Sequence, residues 1–186
     1  MLIPLPVCKL SRAKRSFICS TETIKPVFGY CASQKTCCFG YKIHAVCNEY
    51  AVIHSFDLTP ANIRDIHYLK DVKYNISNCE LIGDKGYISA DYQLDLFTSS
   101  HIELQVPMRG NQHDFTPYSK SKRKVRKRIE TLISQLGGQF SMNINFAKTM
   151  DGFATRRLSK ITAITLIQLL NRINNRNINN IKVNIA

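Results

Sequence analysis

Alternating apolar and polar positions predict a pair of antiparallel strands in the first third of the chain. Residues 39–47 and 51–58 alternate with a period of two, and the Asn-Glu-Tyr sequence between them favours a turn. The preceding segment, residues 1–8, is apolar but contains Pro4 and Pro6, which cannot donate the hydrogen bonds of a strand ladder. We therefore expect this segment at the edge of a sheet or leaving it.

Helical and strand patterns then alternate. Thr59 followed by Pro60 predicts the N-cap and first position of a helix. Its apolar stripe consists of Ile63, Ile66, Leu69 and Val72. A strand is predicted at 79–82, a helix at 89–97 and a strand at 102–106. This order is typical of a mixed α/β sandwich with helices on both faces of the sheet.

Two longer helices are predicted near the C-terminus, after a polar loop at 109–119. The first spans 120–136 and ends at a Gly-Gly pair, and the second spans 156–172. Residues 173–186 are rich in Asn and Ile, and we expect this tail to be frayed. The sequence thus predicts one domain over 1–172 followed by a tail over 173–186.

The strongly positive net charge of the chain limits the classes of partner that it suits. The net charge is +13 and the pI is about 9.6, which indicates a polyanionic partner, nucleic acid before membrane. The seven cysteines are irregularly spaced and form no Cys-x-x-Cys pair, so neither a zinc site nor a disulfide framework is indicated. The longest apolar stretch, 161–170, is too short to span a bilayer. These features together predict a cytoplasmic protein with reduced thiols.

Two carboxylates are candidates for chemistry. Asp84 follows the predicted strand at 79–82 and is flanked by Gly83 and Gly86, so it lies where open α/β sheets place their ligands. Glu130 lies on the most basic helix, where residues 120–128 contain seven cations in nine positions.

Each carboxylate has a structural alternative. Asp84 can be a turn cap, and Glu130 can form helix-surface ion pairs with Arg126 and Lys127. If instead the two acids meet, they can hold Mg²⁺ while the surrounding cations bind phosphates.

The ordered motifs carry a resemblance to a known family. They are GYKIH at 40–44, TPANIRD at 59–65, DKGY at 84–87, and Arg126 followed by IET at 129–131. In order and spacing this set resembles the catalytic domain of the DDE transposases of bacterial insertion sequences, and most nearly the insertion sequence 982 group. The resemblance covers most of the chain and implies a ribonuclease-H-like fold.

The resemblance also implies an activity. Asp84 would be the second catalytic acid and Glu130 the third, in a two-Mg²⁺ site for cleavage and transfer of DNA strands at the ends of an insertion element. A homodimer is a further expectation. The residues expected to contact DNA phosphates are Lys85, Arg123, Arg126 and Lys127.

The chain departs from the family pattern near its start. The first catalytic aspartate is expected at about Met1, yet no acid occurs before Glu22. We therefore expect an N-terminally truncated copy that lacks most of its first strand, is inactive alone and folds marginally. A lysine that related transposases carry seven residues after the glutamate is replaced here by Gly137.

Four other polar residues are expected to have structural roles and not catalytic ones. Asp57 could substitute for the missing acid but is expected to cap a turn before Thr59. His44 and Tyr87 are expected to pack, and His113 to face solvent.

Two other function classes remain open. The first is a non-catalytic basic nucleic-acid-binding module whose carboxylates are structural. The second is a ribosome-associated RNA-binding protein, which is less favoured because the aromatic side chains are scattered and form no stacking platform.

Overall fold

The computed structural model describes residues 2–31, 35–108 and 117–184, with side chains described as far as Lys182. The chain divides into two compact units. The first unit comprises Met1–Ile63 and Arg128–Ala186, and the second comprises Arg64–Lys127. No helix in the described part of the chain is long and apolar enough to cross a lipid bilayer.

The sheet of the first unit is antiparallel and is built around its longest strand. The other three strands all pair with β3. The four are β1 (Leu2–Cys8), β2 (Val27–Cys31), β3 (Thr36–Cys47) and β4 (Ile53–Pro60). The predicted strand pair and its turn are thus confirmed. The basic, irregular sequence of residues 9–30 predicts a surface loop, which is wrong at its end because β2 begins at Val27.

β1 shows how a strand with two prolines can be accommodated. Among the described strands it pairs with β3 alone, as the predicted edge position requires. Pro6 lies opposite Gly40, where the register between the strands shifts. Gly40 has a φ of 156°, and a Cβ there would lie 2.3 Å from the Leu5 carbonyl oxygen. Only glycine therefore fits at this crossing. The expectation that most of the first strand is missing stays a prediction.

Two helices contribute to the core of the first unit with this sheet. They are α3 (Lys120–Gly138), of which the part from Arg128 belongs to this unit, and α4 (Met150–Ile173). The rings of Tyr41 and Phe153 pack with their centroids 5.3 Å apart. On α3 the apolar residues recur three or four positions apart, a spacing that predicts one buried stripe: Val125, Ile129, Leu132, Ile133 and Leu136. Leu132 and Leu136 are fully buried in the same cluster, which confirms this prediction for the part of α3 in the first unit. The helix is predicted to end before its two glycines. This prediction is wrong, because α3 includes both of them.

The prediction that a helix begins at Thr59 is wrong. Thr59 and Pro60 are the last residues of β4, where Thr59 lies opposite Lys42 on β3. The Thr59 hydroxyl also contacts His44 Nε2 at 2.9 Å. These cross-strand contacts override the local capping signal. The helical segment begins only at Asp65.

The second unit contains a strand–helix–strand motif. Its described strands, β5 (Cys79–Ile82) and β6 (Ile102–Gln105), pair in parallel, and α2 (Ala90–Ser100) connects them. The predicted boundaries are met within three residues. The segment before β5 is a short 3₁₀ turn, Asp65–Tyr68, continued by the single-turn helix α1 (Leu69–Val72). The α/β class is confirmed, while the ribonuclease-H-like strand order stays a prediction.

The described part of the C-terminal tail packs within the first unit, so the predicted fraying is wrong for residues 174–182. Asn171, fully buried at the end of α4, donates side-chain hydrogen bonds to the carbonyls of Ile178 and Asn180. A 3₁₀ turn, Ile181–Asn184, follows, and Ile181 is 1% exposed in the core. The buried Asn171 amide needs hydrogen-bond acceptors, and backbone carbonyls of the tail provide them. Composition alone does not reveal these contacts.

Candidate active site

Asp84 lies directly beyond the C-terminal end of β5, as predicted. The Gly83 N–H continues the ladder by donating to the Gln105 carbonyl at 2.8 Å. A Cβ on Gly83 would lie 3.1 Å from Val106 Cγ1, so the chain packs tightly where it leaves the sheet. Asp84 Oδ1 then accepts the Lys85 N–H at 2.7 Å and caps a short 3₁₀ turn. The strand-end position and the capping role therefore coexist in one residue.

An arginine contacts this carboxylate. Arg126 Nη2 donates to Asp84 Oδ1 at 3.2 Å, and the Asp84 side chain is 60% exposed. One turn earlier on α3, Lys122 Nζ lies 2.5 Å from Glu80 Oε1 on β5. Exposed ion pairs of this kind contribute about 0–1 kcal/mol each, so their main effect is on the position of the basic segment, not on stability.

Two tyrosines border Asp84, and neither can act as a base near neutral pH. Burial raises the pKa of Tyr87 well above its usual value, and the charges of Asp65 and Asp84 add to the shift. Burial also raises the pKa of Tyr118, although Arg126 opposes it. The Tyr118 hydroxyl donates to the Gln105 carbonyl at 2.7 Å. Tyr87 is only 8% exposed, which confirms the predicted packing role.

The cations predicted to contact phosphates have different environments. Lys85, Arg123 and Lys127 are exposed, so an approaching polyanion can reach them. Arg126 is half-buried and engaged by Asp84. Their contact with DNA remains a prediction.

Glu130 is exposed on α3, four residues after Arg126. It belongs to the first unit, whereas Asp84 and Arg126 belong to the second. The structure therefore pairs Asp84 with Arg126, and the pairing of Asp84 with Glu130 stays a prediction.

The donor chemistry of Asp84 fits a divalent cation. Both hydrogen bonds that the described residues make to this exposed carboxylate end on Oδ1, which leaves Oδ2 for a ligand. Carboxylate oxygens are the donors that Mg²⁺ prefers. However, within residues 2–31, 35–108 and 117–184 no group of three or more His, Cys, Asp or Glu side chains is arranged to hold a metal ion. Among the described residues, Asp84 is thus suited to contribute one ligand to a metal ion.

The remaining candidate residues have structural roles or lie elsewhere. Asp57 is exposed in the middle of β4, and its Oδ1 accepts the Leu58 N–H at 2.7 Å, so the predicted turn cap is wrong because the strand continues. His44 is 1% exposed and contacts Thr59, which confirms a core role. His113 lies outside the described residues.

Sequence reasoning missed the second ion pair of the site. Glu80 and Asp84 are four residues apart, as are Lys122 and Arg126, and the two acids pair with the two cations in register. The matching spacing is visible in the sequence. Which acid meets which cation depends on how α3 packs on β5, and that information is not local.

Comparison with known proteins gives one match. The family model described as a transposase DDE domain matches residues 3–149, a span that includes Asp84 and Glu130. No curated protein matches the chain. No solved structure matches it either.

Proposed function

Because the chain belongs to the transposase DDE-domain family, whose substrate is DNA and whose members generally use a divalent metal, we propose that it serves metal-dependent cleavage and transfer of DNA strands at the ends of an insertion element. The insertion sequence 982 group is the subgroup that its motifs favour. Joining element ends to target DNA also favours a homodimer, which sedimentation of the purified chain would test.

One observation supports this proposal above the others. Asp84 stands exposed at the C-terminal end of a parallel strand, inside the span that the family model matches. That is the position where α/β proteins present reactive groups to a ligand. In this proposal the sheet is ribonuclease-H-like, and Asp84 and Glu130 are two of its catalytic acids.

Each residue of the proposed site has a stated task. Asp84 and Glu130 would hold divalent cations, which supply charge stabilisation and an activated oxygen nucleophile for phosphoryl transfer. The cations would hold DNA phosphates and so fix the strand relative to the carboxylates. They are Lys85, Arg123, Arg126 and Lys127.

A second function is favoured by a specific observation. Arg126 neutralises Asp84, and the described residues contain no three-ligand cluster. Both features suit a non-catalytic nucleic-acid-binding module in which Asp84 positions a basic helix. In that case the carboxylates have structural roles only.

Metal binding and DNA binding measured on the same variants separate the two functions. We expect Asp84→Ala and Glu130→Ala each to weaken Mn²⁺ binding at least fivefold, while affinity for a DNA duplex holds or rises as negative charge is removed. Asp57→Ala is the matched control, since it removes an exposed carboxylate from β4. Unchanged Mn²⁺ affinity in both site variants would leave the binding module as the function.

We further propose that this polypeptide alone does not complete strand transfer. The resemblance implies three acids, and two of them have counterparts here; β1, Leu2–Cys8, contains no acid. Incubation with supercoiled plasmid carrying element ends and Mn²⁺ should yield no nicked product. Nicking that Asp84→Ala abolishes would show that two acids suffice.

A further inference from the structure

A groove in the first unit, away from Asp84 in the sequence, combines cations with an exposed aromatic ring. It has a volume of about 510 Å³ and lies beside a 3₁₀ helix, Leu10–Arg15. Its lining residues are Cys8, Arg12, Arg15, Ser16, Phe17 and Ile18. We refer to it as the 8–18 groove.

The aromatic ring of the groove is exposed to solvent, although residues near it in the chain are buried. Phe17 is 86% exposed, yet the smaller residues Ala13 and Cys19 on either side of it are buried. The Cys19 N–H donates to the Lys148 carbonyl, and the Ser20 N–H and hydroxyl both donate to the Phe17 carbonyl. The Ser16 N–H also donates to the Ala13 carbonyl, so the backbone is hydrogen-bonded on both sides of the ring. The ring of Phe17 therefore presents an apolar face to solvent, on which a planar ligand can stack.

The charged residues that line the groove are both arginines. Arg12 and Arg15 are exposed, and residues 9–15 contain four cations in seven positions. No acid precedes Glu22 in the chain. Guanidinium groups donate paired hydrogen bonds that match the geometry of a phosphate. The 8–18 groove thus offers phosphate donors beside an apolar face.

We propose that the 8–18 groove binds an unpaired nucleotide of single-stranded DNA. Its base stacks on Phe17, and the adjoining phosphates contact Arg12 and Arg15. Positive grooves with aromatic side chains bind single strands in this way, because every base has a π face. In a duplex the bases already stack on one another, so they offer no free face to the Phe17 ring and stacking adds little to duplex affinity. The family acts on DNA, which favours DNA over RNA as the occupant.

The first test measures the aromatic contact. The full chain in EDTA is titrated into fluorescein-labelled dT20 and, separately, into a 20-base-pair duplex. We expect Phe17→Ala to weaken dT20 binding by about 5- to 150-fold, the range found for loss of one stacked base, and to change duplex binding less than twofold. Phe17→Trp should restore the dT20 affinity. Phe146→Ala, which removes another highly exposed ring, is the matched control and should change neither affinity.

The second test measures the phosphate contacts. For single strands, log K falls with log salt concentration by about 0.7 for each phosphate neutralised, so the double variant Arg12→Ala/Arg15→Ala should reduce the dT20 salt slope by about 1.4. Arg156→Ala, at an exposed position on α4, should leave the slope unchanged.

Three results would overturn the proposal: dT20 affinity unaffected by Phe17→Ala, equal weakening of dT20 and duplex binding, or tighter binding of rU20 than of dT20. All arms are measured without divalent metal and with Asp84 and Glu130 intact. These experiments can therefore contradict the proposal for the groove while the proposed strand-transfer function stands, and the reverse also holds.

Discussion

Arg126 donates a hydrogen bond to the carboxylate of Asp84, with Nη2 3.2 Å from Oδ1. The positive charge beside this strand-end acid is thus supplied by the protein itself. A divalent cation binding there would have to share the carboxylate with the guanidinium or displace it.

Removing that guanidinium should favour cation binding. We expect Arg126→Gln to raise the Mn²⁺ affinity of the full chain about two- to fivefold, because an exposed ion pair contributes only about 0–1 kcal/mol. Titration followed by electron paramagnetic resonance measures this. Lys122→Gln breaks the neighbouring pair with Glu80 and is the control. An equal gain in both variants would point to a general loss of positive charge and not to competition at Asp84.

Gly40 should tolerate no side chain. Its φ of 156° and the 2.3 Å approach of a Cβ to the Leu5 carbonyl oxygen predict that Gly40→Ala lowers the free energy of unfolding by about 3 kcal/mol or more. Gly137→Ala is the matched control, since a Cβ there meets no atom within 4 Å and alanine favours the helix by about 0.5–1 kcal/mol. Urea denaturation followed by circular dichroism compares the two. Equal stability of both variants would contradict the β1–β3 crossing.

The tail should contribute to stability through Asn179. Its side chain accepts from Gln168 Nε2 at 3.1 Å and donates to the Tyr50 carbonyl at 3.0 Å. Gln168 is only 2% exposed, so Asn179→Ala weakens the pairing of a buried amide and should cost about 1–3 kcal/mol. Asn180→Ala keeps its backbone contact with Asn171 and should cost less than about 0.5 kcal/mol. If the two variants unfold at the same urea concentration, the Asn179 side chain does not stabilise this unit.

Stability should fall in alkaline solution, partly through Cys47. Burial raises the pKa of this thiol from 9.0 to about 11, so the folded state keeps the proton that the unfolded state loses between these values. The stabilising difference is fully present below pH 9 and is lost as pH rises to 11, by about 1.4 kcal/mol per pH unit for one proton. Cys47→Ala should flatten the decline of unfolding free energy between pH 9 and 10 relative to the parent chain. An unchanged slope would show that Cys47 ionises equally in both states.

Local sequence determined much of the second unit and the helices. The strand at Cys79–Ile82 and the strand-end position of Asp84 follow from an apolar run that meets two glycines. The stripe on α3 follows from its 3.6-residue period. Such features depend on residues a few positions apart, which the sequence displays directly.

Tertiary structure decided the rest. Thr59 and Pro60 have a local sequence that favours a helix start, but they extend β4 because they pair with β3. Their partners on β3 are more than 15 residues away along the chain, so a local pattern does not reveal this pairing. The composition of the tail indicates fraying, yet Asn179 meets Tyr50 across 129 positions. Asp84 contacts Arg126, 42 positions away, a pairing that depends on packing, while a site shared by Asp84 and Glu130 stays a prediction. A local pattern records what a segment favours by itself. Which distant group satisfies a buried amide or an exposed carboxylate depends on packing, and only the folded chain brings those groups together.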